Sequence, residues 1–215
     1  MTGHRMDWQR QARTGTAEAV FCSGKSDDQI VNILEEARKC DQRLLLTRLS
    51  PEQHGRLGKA APQDYEPASQ TAILGEFTSS LPGIGIVAAG TSDLPVATEA
   101  ARTLKFHGYE EPILADVGVA GLWRLMEQLE TLAEHRVLIA VAGMEGALFS
   151  VLAGLVSTPI IAVPAPQGYG VAENGRVALD AALGSCAPGL TVVNIGNGFG
   201  AACAAIRIMR VGAGS

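Results

Sequence analysis

Short runs of β-branched and other apolar residues alternate, from residue 81 onward, with longer stretches in which apolar residues recur at helical spacing. Each such pair predicts a strand followed by a helix. The predicted strands are residues 83–88, 112–115, 137–142, 159–163 and 190–194, and the predicted helices are residues 94–107, 119–134, 147–156, 174–185 and 199–209. Five consecutive βα units favour a doubly wound, flavodoxin-like or Rossmann-like parallel sheet, because parallel strands need right-handed crossovers that cover both faces.

Residues 1–80 carry more charge and show a different pattern. Ser26 precedes Gln29 by three residues, and Ser50 stands before Pro51 and Gln53, so both serines predict helix starts of the capping-box type. Residues 44–47 and 71–74 predict short strands, whereas residues 62–67, bounded by prolines, predict a linker. The pattern therefore predicts a smaller N-terminal α/β segment, residues 1–80, ahead of an α/β domain, residues 81–215. It leaves open whether the segment has its own core or is an arm packed on a neighbouring subunit.

Composition and charge narrow the class of function. The chain of 215 residues is 47% hydrophobic but only 5% aromatic, which suits helices packed on a sheet. A net charge of -5 argues against nucleic acid as a partner. The apolar region at residues 137–163 contains Glu145 and several Gly and Pro residues, so a membrane span is not expected. No secretory signal is visible in residues 1–13, which predicts a cytoplasmic protein with free cysteines.

Glycine-rich loops follow four of the predicted strands, at residues 90–93, 143–146, 167–170 and 194–198. In open α/β sheets, ligands bind outside the carboxyl ends of the strands, where these loops converge. Glycine lets the backbone approach a ligand, and helix N-termini favour phosphate or carboxylate groups. The loops therefore predict an anionic nucleotide ligand.

Several polar residues in and near these loops have both a structural and a functional interpretation. Ser92 and Asp93 are typical helix caps, and Tyr169 between two glycines is a common turn residue. Glu145 is the only charged residue between positions 136 and 173, which favours a functional role. Cys186 follows a helix and precedes the last strand, so it is expected at the amino edge of the sheet, away from the glycine loops. As a single cysteine it is more typical of packing than of chemistry.

Taken together, the loop motifs closely resemble the LarB family. The motifs run in order as Ala89-Gly90-Thr91-Ser92-Asp93-Leu94-Pro95, Asp116-Val117-Gly118-Val119-Ala120-Gly121, Gly143-Met144-Glu145-Gly146, Val163-Pro164, Gly168-Tyr169-Gly170, Ser185-Cys186-Ala187 and Asn194-Ile195-Gly196-Asn197-Gly198-Phe199-Gly200. Upstream, Arg13-Thr14-Gly15, Gly24-Lys25 and Thr47-Arg48 also resemble that family, so the likeness covers nearly the whole chain. The last 135 or so residues resemble the aminoimidazole ribonucleotide carboxylase and mutase family, PurE, as well.

The LarB resemblance implies carboxylation of the pyridinium ring of nicotinic acid adenine dinucleotide by carbon dioxide or bicarbonate, with hydrolysis of the phosphoanhydride. The products would be pyridinium-3,5-biscarboxylic acid mononucleotide and AMP, for synthesis of a nickel-pincer nucleotide cofactor. By motif, Cys186 would be the nucleophile, Glu145 would move the ring proton, and Asp93 with Ser92 would position the substrate. The resemblance further implies substrate binding by Gly90, Thr91, Gly143, Met144, Gly168, Tyr169, Gly170 and Asn197. The resemblance also implies a Mg²⁺ ion, whose ligands the sequence does not identify. It further implies a homo-oligomer, expected to be an octamer.

Two other functions remain open. The first is a PurE-type carboxylase or mutase, although the catalytic His of that family, in the loop after the second strand, finds only Gly118-Val119-Ala120-Gly121 here. The second is a non-catalytic nucleotide-binding or flavodoxin-like module, for which the glycine loops alone would suffice. In that case Glu145 and Cys186 would have no chemical role.

Overall fold

The first part of the chain forms a four-stranded mixed sheet with its own helices in the computed structural model, which describes residues 4–77, 79–110 and 112–211. The elements in chain order are α1 (Arg10–Thr14), β1 (Ala19–Phe21), α2 (Asp27–Lys39), β2 (Leu44–Thr47), α3 (Pro51–Arg56), β3 (Asp64–Glu66) and β4 (Thr71–Leu74), with a 3₁₀ turn at Gly58–Ala60. The strand order is β1-β2-β4-β3. Strands β1 and β2 are parallel, and the other two pairs are antiparallel.

This N-terminal unit buries a core of its own. Ile30, Ile33 and Leu34 on one face of α2 pack against Leu44 and Leu46 of β2, and all five are fully or almost fully buried. The predicted helix starts are confirmed. At Ser26 both halves of the capping box are present, whereas at Ser50 only the hydroxyl takes part, as acceptor of the Gln53 N–H. The open question is therefore answered in favour of a packed core.

The predicted linker at residues 62–67 is wrong, because these residues contain β3. Tyr65 of β3 stacks on the ring of His54 at 4.0 Å and donates a hydrogen bond from its hydroxyl to the carbonyl of Leu49. A packed aromatic side chain thus fixes a segment whose flanking prolines are more typical of a loop. The pattern also gave no sign of the short elements α1 and β1, of five and three residues.

The second part is a five-stranded parallel sheet with helices on both faces, which confirms the predicted fold class. Its strands are β5 (Ile84–Ala88), β6 (Ile113–Leu114), β7 (Val137–Ala142), β8 (Ile160–Pro164) and β9 (Leu190–Val192). Its helices are α4 (Leu94–Phe106), α5 (Leu122–Met126), α6 (Leu129–Ala133), α7 (Ala147–Leu155), α8 (Arg176–Leu183) and α9 (Gly198–Val211), with 3₁₀ turns at Thr91–Asp93, Val119–Gly121 and Gly170–Gly175. The strand order β6-β5-β7-β8-β9 is that of flavodoxin-like sheets.

The sheet is covered by a helical layer on each face. Ile86, Ile139 and Ile161 point into one core with α4 and α9, and Leu138 and Ala140 point into the other with α7 and α8. Because β5, β7 and β8 are buried throughout, their sequences are continuously apolar. The apolar region at residues 137–163 is thus β7, α7 and β8. In the described ranges, no helix is both long and apolar enough to cross a membrane.

Two predicted helices differ from the observed ones. The helix predicted at residues 119–134 is divided into a 3₁₀ turn, α5 and α6, and a tight turn from the Gln128 N–H to the Leu125 carbonyl separates the two α-helices. The helix predicted from residue 174 begins at Arg176, because Asn174 and Gly175 have left-handed φ angles of 61° and 72°. Neither change moves a predicted strand.

Helix α4 joins the two sheets. Arg102 donates to Thr71 at 2.9 Å and pairs with Asp64 at 2.7 Å, both in the N-terminal sheet. Glu99, one turn earlier, pairs with Arg48, their Oε1 and Nε atoms lying 3.3 Å apart. The carboxyl ends of β1 and β2 are thereby held close to the loop that follows β9.

Candidate functional site

A cavity of about 440 Å³ lies outside the carboxyl ends of β5, β6, β7 and β8. Since β5 lies between β6 and β7, this is the point at which the strand order reverses, where open α/β sheets bind their ligands. Three of the four glycine loops contribute to its walls. The lining residues include Gly90, Ser92, Asp93, Gly118, Val119, Ala120, Gly143, Met144, Glu145, Gln167, Gly168 and Tyr169.

Asp93 is the buried acid of this cavity, with only 3% of its surface exposed. Its Oδ2 accepts the Gly90 N–H at 3.0 Å, whereas its Oδ1 has no hydrogen-bond partner in the part of the chain that the structure describes. The bond from Gly90 caps the start of the 3₁₀ turn Thr91–Asp93, which bears out a capping role for Asp93, but Oδ1 takes no part in that contact. Burial raises the pKa of Asp93, and the nearby N–H groups of Gly90 and Gly143 act in the opposite direction. The free oxygen is suited to a hydrogen bond with a ligand.

The cavity walls have no room for side chains at Gly143 and Gly168. A Cβ at Gly143 would overlap the carbonyl oxygen of Gln167, and a Cβ at Gly168 would overlap that of Ala172. The Met144 N–H donates to the same Gln167 carbonyl at 2.9 Å, so the loops after β7 and β8 are locked together. The cavity is therefore formed before any ligand enters.

Glu145 and Tyr169 lie at the mouth of the cavity. Both side chains are exposed, Tyr169 to 77%, and no ion pair is formed by Glu145 with the described residues. The amide of Gln167 lies deeper, and its Oε1 is buried with no hydrogen-bond partner among the residues that the structure describes. The mouth thus offers a solvated carboxylate and a ring, and the interior offers free acceptors.

Four of the residues singled out by the sequence do not line this cavity. Thr91 and Gly170 belong to its loops without forming its wall. Asn197 lies in a second cavity, where its Oδ1 accepts the Gly200 N–H at the start of α9. Cys186 is exposed between α8 and β9, as the topology predicts. The hydroxyl of Ser185, the residue before it, lies 2.8 Å from that of Ser150 in α7, and Cys186 itself does not line the strand-end cavity of its own chain.

The cavity contains carboxylates but no imidazole. Residues Gly118–Ala120 line it with small apolar groups, and none of the four histidines, at positions 4, 54, 107 and 135, contributes to its walls. Over the described residues, no group of three or more His, Cys, Asp or Glu side chains is placed to hold a metal ion.

A second and larger cavity, of about 700 Å³, lies between the two sheets and was not predicted from the sequence. It is bounded by the carboxyl ends of β1 and β2 and by the loop after β9, and includes Phe21, Ser23, Arg48, Arg56 and Asn194. The position of Phe21 and Arg48 at two strand ends was the available signal. It could not be used without knowing that β1 is a strand and that the two units dock.

Comparison with known proteins matches both parts of the chain. Residues 1–76 match the model of the LarB/PurE-like N-terminal domain, and residues 83–214 match the model of AIR carboxylase. An uncharacterised protein of Methanocaldococcus jannaschii is 37% identical over 208 residues, which cover 92% of this chain and 80% of that protein. The N5-carboxyaminoimidazole ribonucleotide mutase of the same organism is 34% identical over 133 residues, covering 59% of this chain and 78% of that enzyme.

Proposed function

Because the chain belongs to the LarB family, with an AIR carboxylase domain behind a LarB-type N-terminal domain, we propose that it carboxylates the pyridinium ring of nicotinic acid adenine dinucleotide and hydrolyses its phosphoanhydride. The products are pyridinium-3,5-biscarboxylic acid mononucleotide and AMP, and the pathway served is nickel-pincer nucleotide synthesis. The observation that supports this most is the strand-end cavity with a buried acid, Asp93, a carboxylate at its mouth, Glu145, and no imidazole.

A pyridinium ring is too electron-poor to attack carbon dioxide directly. The thiolate of Cys186 first forms a C–S bond with the ring, which leaves a dihydropyridine whose neighbouring carbon is nucleophilic. That carbon forms a C–C bond with carbon dioxide. Glu145 then accepts the proton of the same carbon, and the C–S bond breaks, which restores the pyridinium ring and the thiolate.

Asp93 orients the substrate in this scheme. Burial raises the pKa of Asp93, which favours its protonated form, and a protonated carboxyl can donate a hydrogen bond to the carboxylate of the nicotinate ring. The Ser92 hydroxyl beside it offers a second donor. The glycine walls at Gly143 and Gly168 allow a flat ring to lie directly against the backbone.

Hydrolysis of the phosphoanhydride adds a water molecule to phosphorus and releases AMP. Mg²⁺ would neutralise charge on the two phosphates. Since the described residues form no ready cluster of ligands, such an ion would be held by substrate phosphates with one or two carboxylates, as Mg²⁺ often is.

The scheme takes Cys186 from another copy of the chain, because the Cys186 of the same chain does not line the cavity. Exposed apolar side chains surround the cavity and cover α5, and these favour self-association. They are Leu122, Trp123, Met126, Met144, Tyr169 and Val171. We place the exposed Cys186 loop of one subunit against the cavity of another, within a homo-oligomer that the PurE resemblance suggests is an octamer.

The test is product analysis by mass spectrometry after incubation with nicotinic acid adenine dinucleotide and bicarbonate, with and without Mg²⁺. Wild type should release AMP and a carboxylated nicotinate mononucleotide. Cys186→Ala should give no carboxylated product, whereas Cys40→Ala, which removes another exposed free thiol, should behave as wild type. A folded and assembled wild type without carboxylated product would overturn the proposal.

The similarity to a mutase of purine synthesis supports one second candidate, isomerisation or carboxylation of aminoimidazole ribonucleotide. The same assay with that ribonucleotide tests it. Turnover of it, without turnover of the dinucleotide, would favour the second candidate. The small side chains at Gly118–Ala120, where PurE enzymes carry their catalytic His, argue against this outcome.

A further inference from the structure

A smaller cavity of about 160 Å³ lies between the cavity that separates the two sheets, here called the interdomain cavity, and the strand-end cavity outside β5 to β8. Arg48, Gln70 and Glu99 line both the interdomain cavity and the connecting one, and Gln167 lines both the connecting one and the strand-end cavity. The three cavities therefore adjoin one another along the carboxyl edges of both sheets, and we call this series of adjoining cavities the trough. The combined volume of the three cavities is larger than the roughly 300 to 1,000 Å³ of a typical small-molecule pocket. The trough therefore has room for a ligand larger than one ribonucleotide.

The interdomain end of the trough has the groups that recognise a purine nucleotide. The ring of Phe21 is 58% exposed, although it is a large apolar group at the end of a strand. An exposed ring in a cavity is a stacking surface for a base. The side-chain amides of Gln53 and Asn194 lie in the same cavity. Gln53 Nε2 donates to the Lys25 carbonyl and Asn194 Oδ1 accepts the Ile195 N–H, so Gln53 Oε1 and Asn194 Nδ2 are the atoms that would face the polar edge of a base.

Two arginines on the cavity walls, Arg48 and Arg56, are candidates for binding a phosphate group. Arg56 lies on the cavity wall, paired through Nε and Nη2 with the partly exposed Asp27. Arg48 stands at the junction of the two cavities, held by Glu99 and by the carbonyl of Gly196. In the described residues, Nη1 of Arg48 makes no hydrogen bond, so it is available to a phosphate oxygen.

The backbone at the junction is held in an uncommon conformation. Arg48 and Gln70 both have left-handed φ angles, 55° and 52°, and the Gln70 carbonyl accepts the Leu49 N–H at 2.9 Å. Non-glycine residues in this region concentrate at ligand sites. Glu99, which is 4% exposed, also accepts the Phe199 N–H, so the arginine rests on a fixed carboxylate.

We propose that the interdomain cavity binds the purine nucleoside monophosphate half of a dinucleotide whose pyridinium half occupies the strand-end cavity. Arg48 then lies beside the phosphates that join the two halves. The inference rests on the proposed function for the identity of the second half. It gives the N-terminal unit a role in the reaction, because Phe21, Arg48 and Arg56 all belong to it.

The experiment is calorimetric titration of the full-length protein with AMP. Wild type should bind AMP, and Phe21→Leu should weaken binding about tenfold, because a base loses its stacking partner. Phe21→Tyr should restore it, since the ring is retained. Arg56→Gln should weaken binding by a similar factor, whereas Lys39→Gln, which removes a charge from the exposed pair with Glu35, should leave it unchanged.

The variant Asp93→Asn tests which of the two cavities binds AMP, because it changes the strand-end cavity alone. If AMP lies between the domains, Asp93→Asn should bind it as wild type does. Loss of AMP binding in Asp93→Asn, equal binding by Phe21→Leu and wild type, or no binding by wild type at millimolar AMP would each overturn the inference.

The proposed function is tested by a different measurement, the formation of the carboxylated product. Product formation together with AMP binding that is insensitive to Phe21 and Arg56 would refute the subsite alone. The expected pattern of AMP binding without any carboxylated product would support the subsite and refute the proposed reaction.

Discussion

The backbone N–H of Ala17 donates a hydrogen bond of 3.0 Å to Nε2 of His107, which lies at the end of α4. The other ring nitrogen faces the Thr103 carbonyl at 2.9 Å. The ring thus acts as acceptor at one nitrogen and donor at the other, which only the neutral imidazole can do. It joins the N-terminal unit to the parallel sheet at a buried position.

We expect this contact to make stability depend on pH. Burial lowers the pKa of His107, and Arg43 and Arg210 lower it further, against the Thr103 carbonyl. The unfolded chain therefore takes up a proton near pH 6.5, before the folded protein does. The stabilisation is complete above that pH and is lost as the pH falls towards the lowered pKa.

Urea unfolding of wild type and His107→Gln between pH 8 and pH 5 measures the effect. Wild type should lose roughly 1 kcal/mol more than the variant over this range, the size of one buried hydrogen bond. His135→Gln removes a partly exposed histidine and should keep the wild-type dependence. Equal slopes for wild type and His107→Gln would contradict the prediction.

Asp93→Asn should stabilise the protein at neutral pH while removing activity. Because burial raises the pKa of Asp93, the folded state holds this proton to a higher pH than the unfolded chain does. Ionisation then destabilises the fold as the pH rises through the raised pKa. Removing the charge should raise the free energy of unfolding at pH 7 by roughly 1 kcal/mol, a common gain when a functional group is neutralised.

The gain should shrink at low pH, where Asp93 is neutral in both states. Asp28→Asn is a matched control that should lower the free energy of unfolding instead of raising it. Asp28 lies in the first turn of α2, where its charge favours the helix. Thermal unfolding at about pH 3, below the ordinary aspartate pKa of 3.8, and at pH 7.5 would show both trends. A destabilised Asp93→Asn at pH 7.5 would show that the ionised form is the one that the fold favours.

How much of this was predictable from the sequence differs between the two sheets. The strands at residues 44–47, 71–74 and 137–142 coincide with β2, β4 and β7, because their burial is expressed in an unbroken apolar run. Strand β3 was missed because Tyr65, a single packed ring, fixes it. A short edge strand leaves too little periodicity to recognise.

Of the two cavities, one could be predicted from the sequence and the other could not. The convergence of the loops at Asp93, Gly143 and Gly168 follows from parallel topology alone, which places all carboxyl ends at one edge. The interdomain cavity depends on docking through Arg48 and Glu99, residues 51 positions apart in the chain. No local pattern encodes such a contact, so the cavity was not predicted.

Gly143→Ala and Gly154→Ala should have opposite effects on stability. A Cβ at Gly143 would overlap the Gln167 carbonyl, so the loops after β7 and β8 must move apart. We expect a loss of roughly 2 kcal/mol, typical of overpacking, together with loss of activity. At the exposed Gly154 in α7, a Cβ would meet nothing, and Ala should stabilise by roughly 0.5 kcal/mol.

Chemical unfolding and product formation, measured on both glycine variants, test this prediction. Retained activity in Gly143→Ala would mean that the strand-end cavity adapts to the added methyl group and is not held rigid by its glycines. A destabilised Gly154→Ala would instead place that face of α7 in a packed contact between subunits.

A complementation experiment tests whether each site is shared between subunits. Cys186→Ala and Glu145→Gln should each be inactive as pure proteins, because each removes one half of the proposed chemistry. When the two are co-expressed, a subunit with intact Glu145 can meet a neighbour with intact Cys186. In random assembly, about a quarter of the sites then contain both groups, so roughly that fraction of wild-type carboxylation should return.

A site made within one chain cannot be rescued in this way, because every subunit of the mixture lacks one of the two groups. Assembly itself must be intact for the comparison, and size-exclusion chromatography of each variant verifies it. Trp123→Glu places a charge on the exposed apolar surface of α5 and should reduce both the oligomer size and the rescued activity. Rescue that survives in a monomeric Trp123→Glu background would contradict the shared site, since a monomer has no neighbour to supply Cys186.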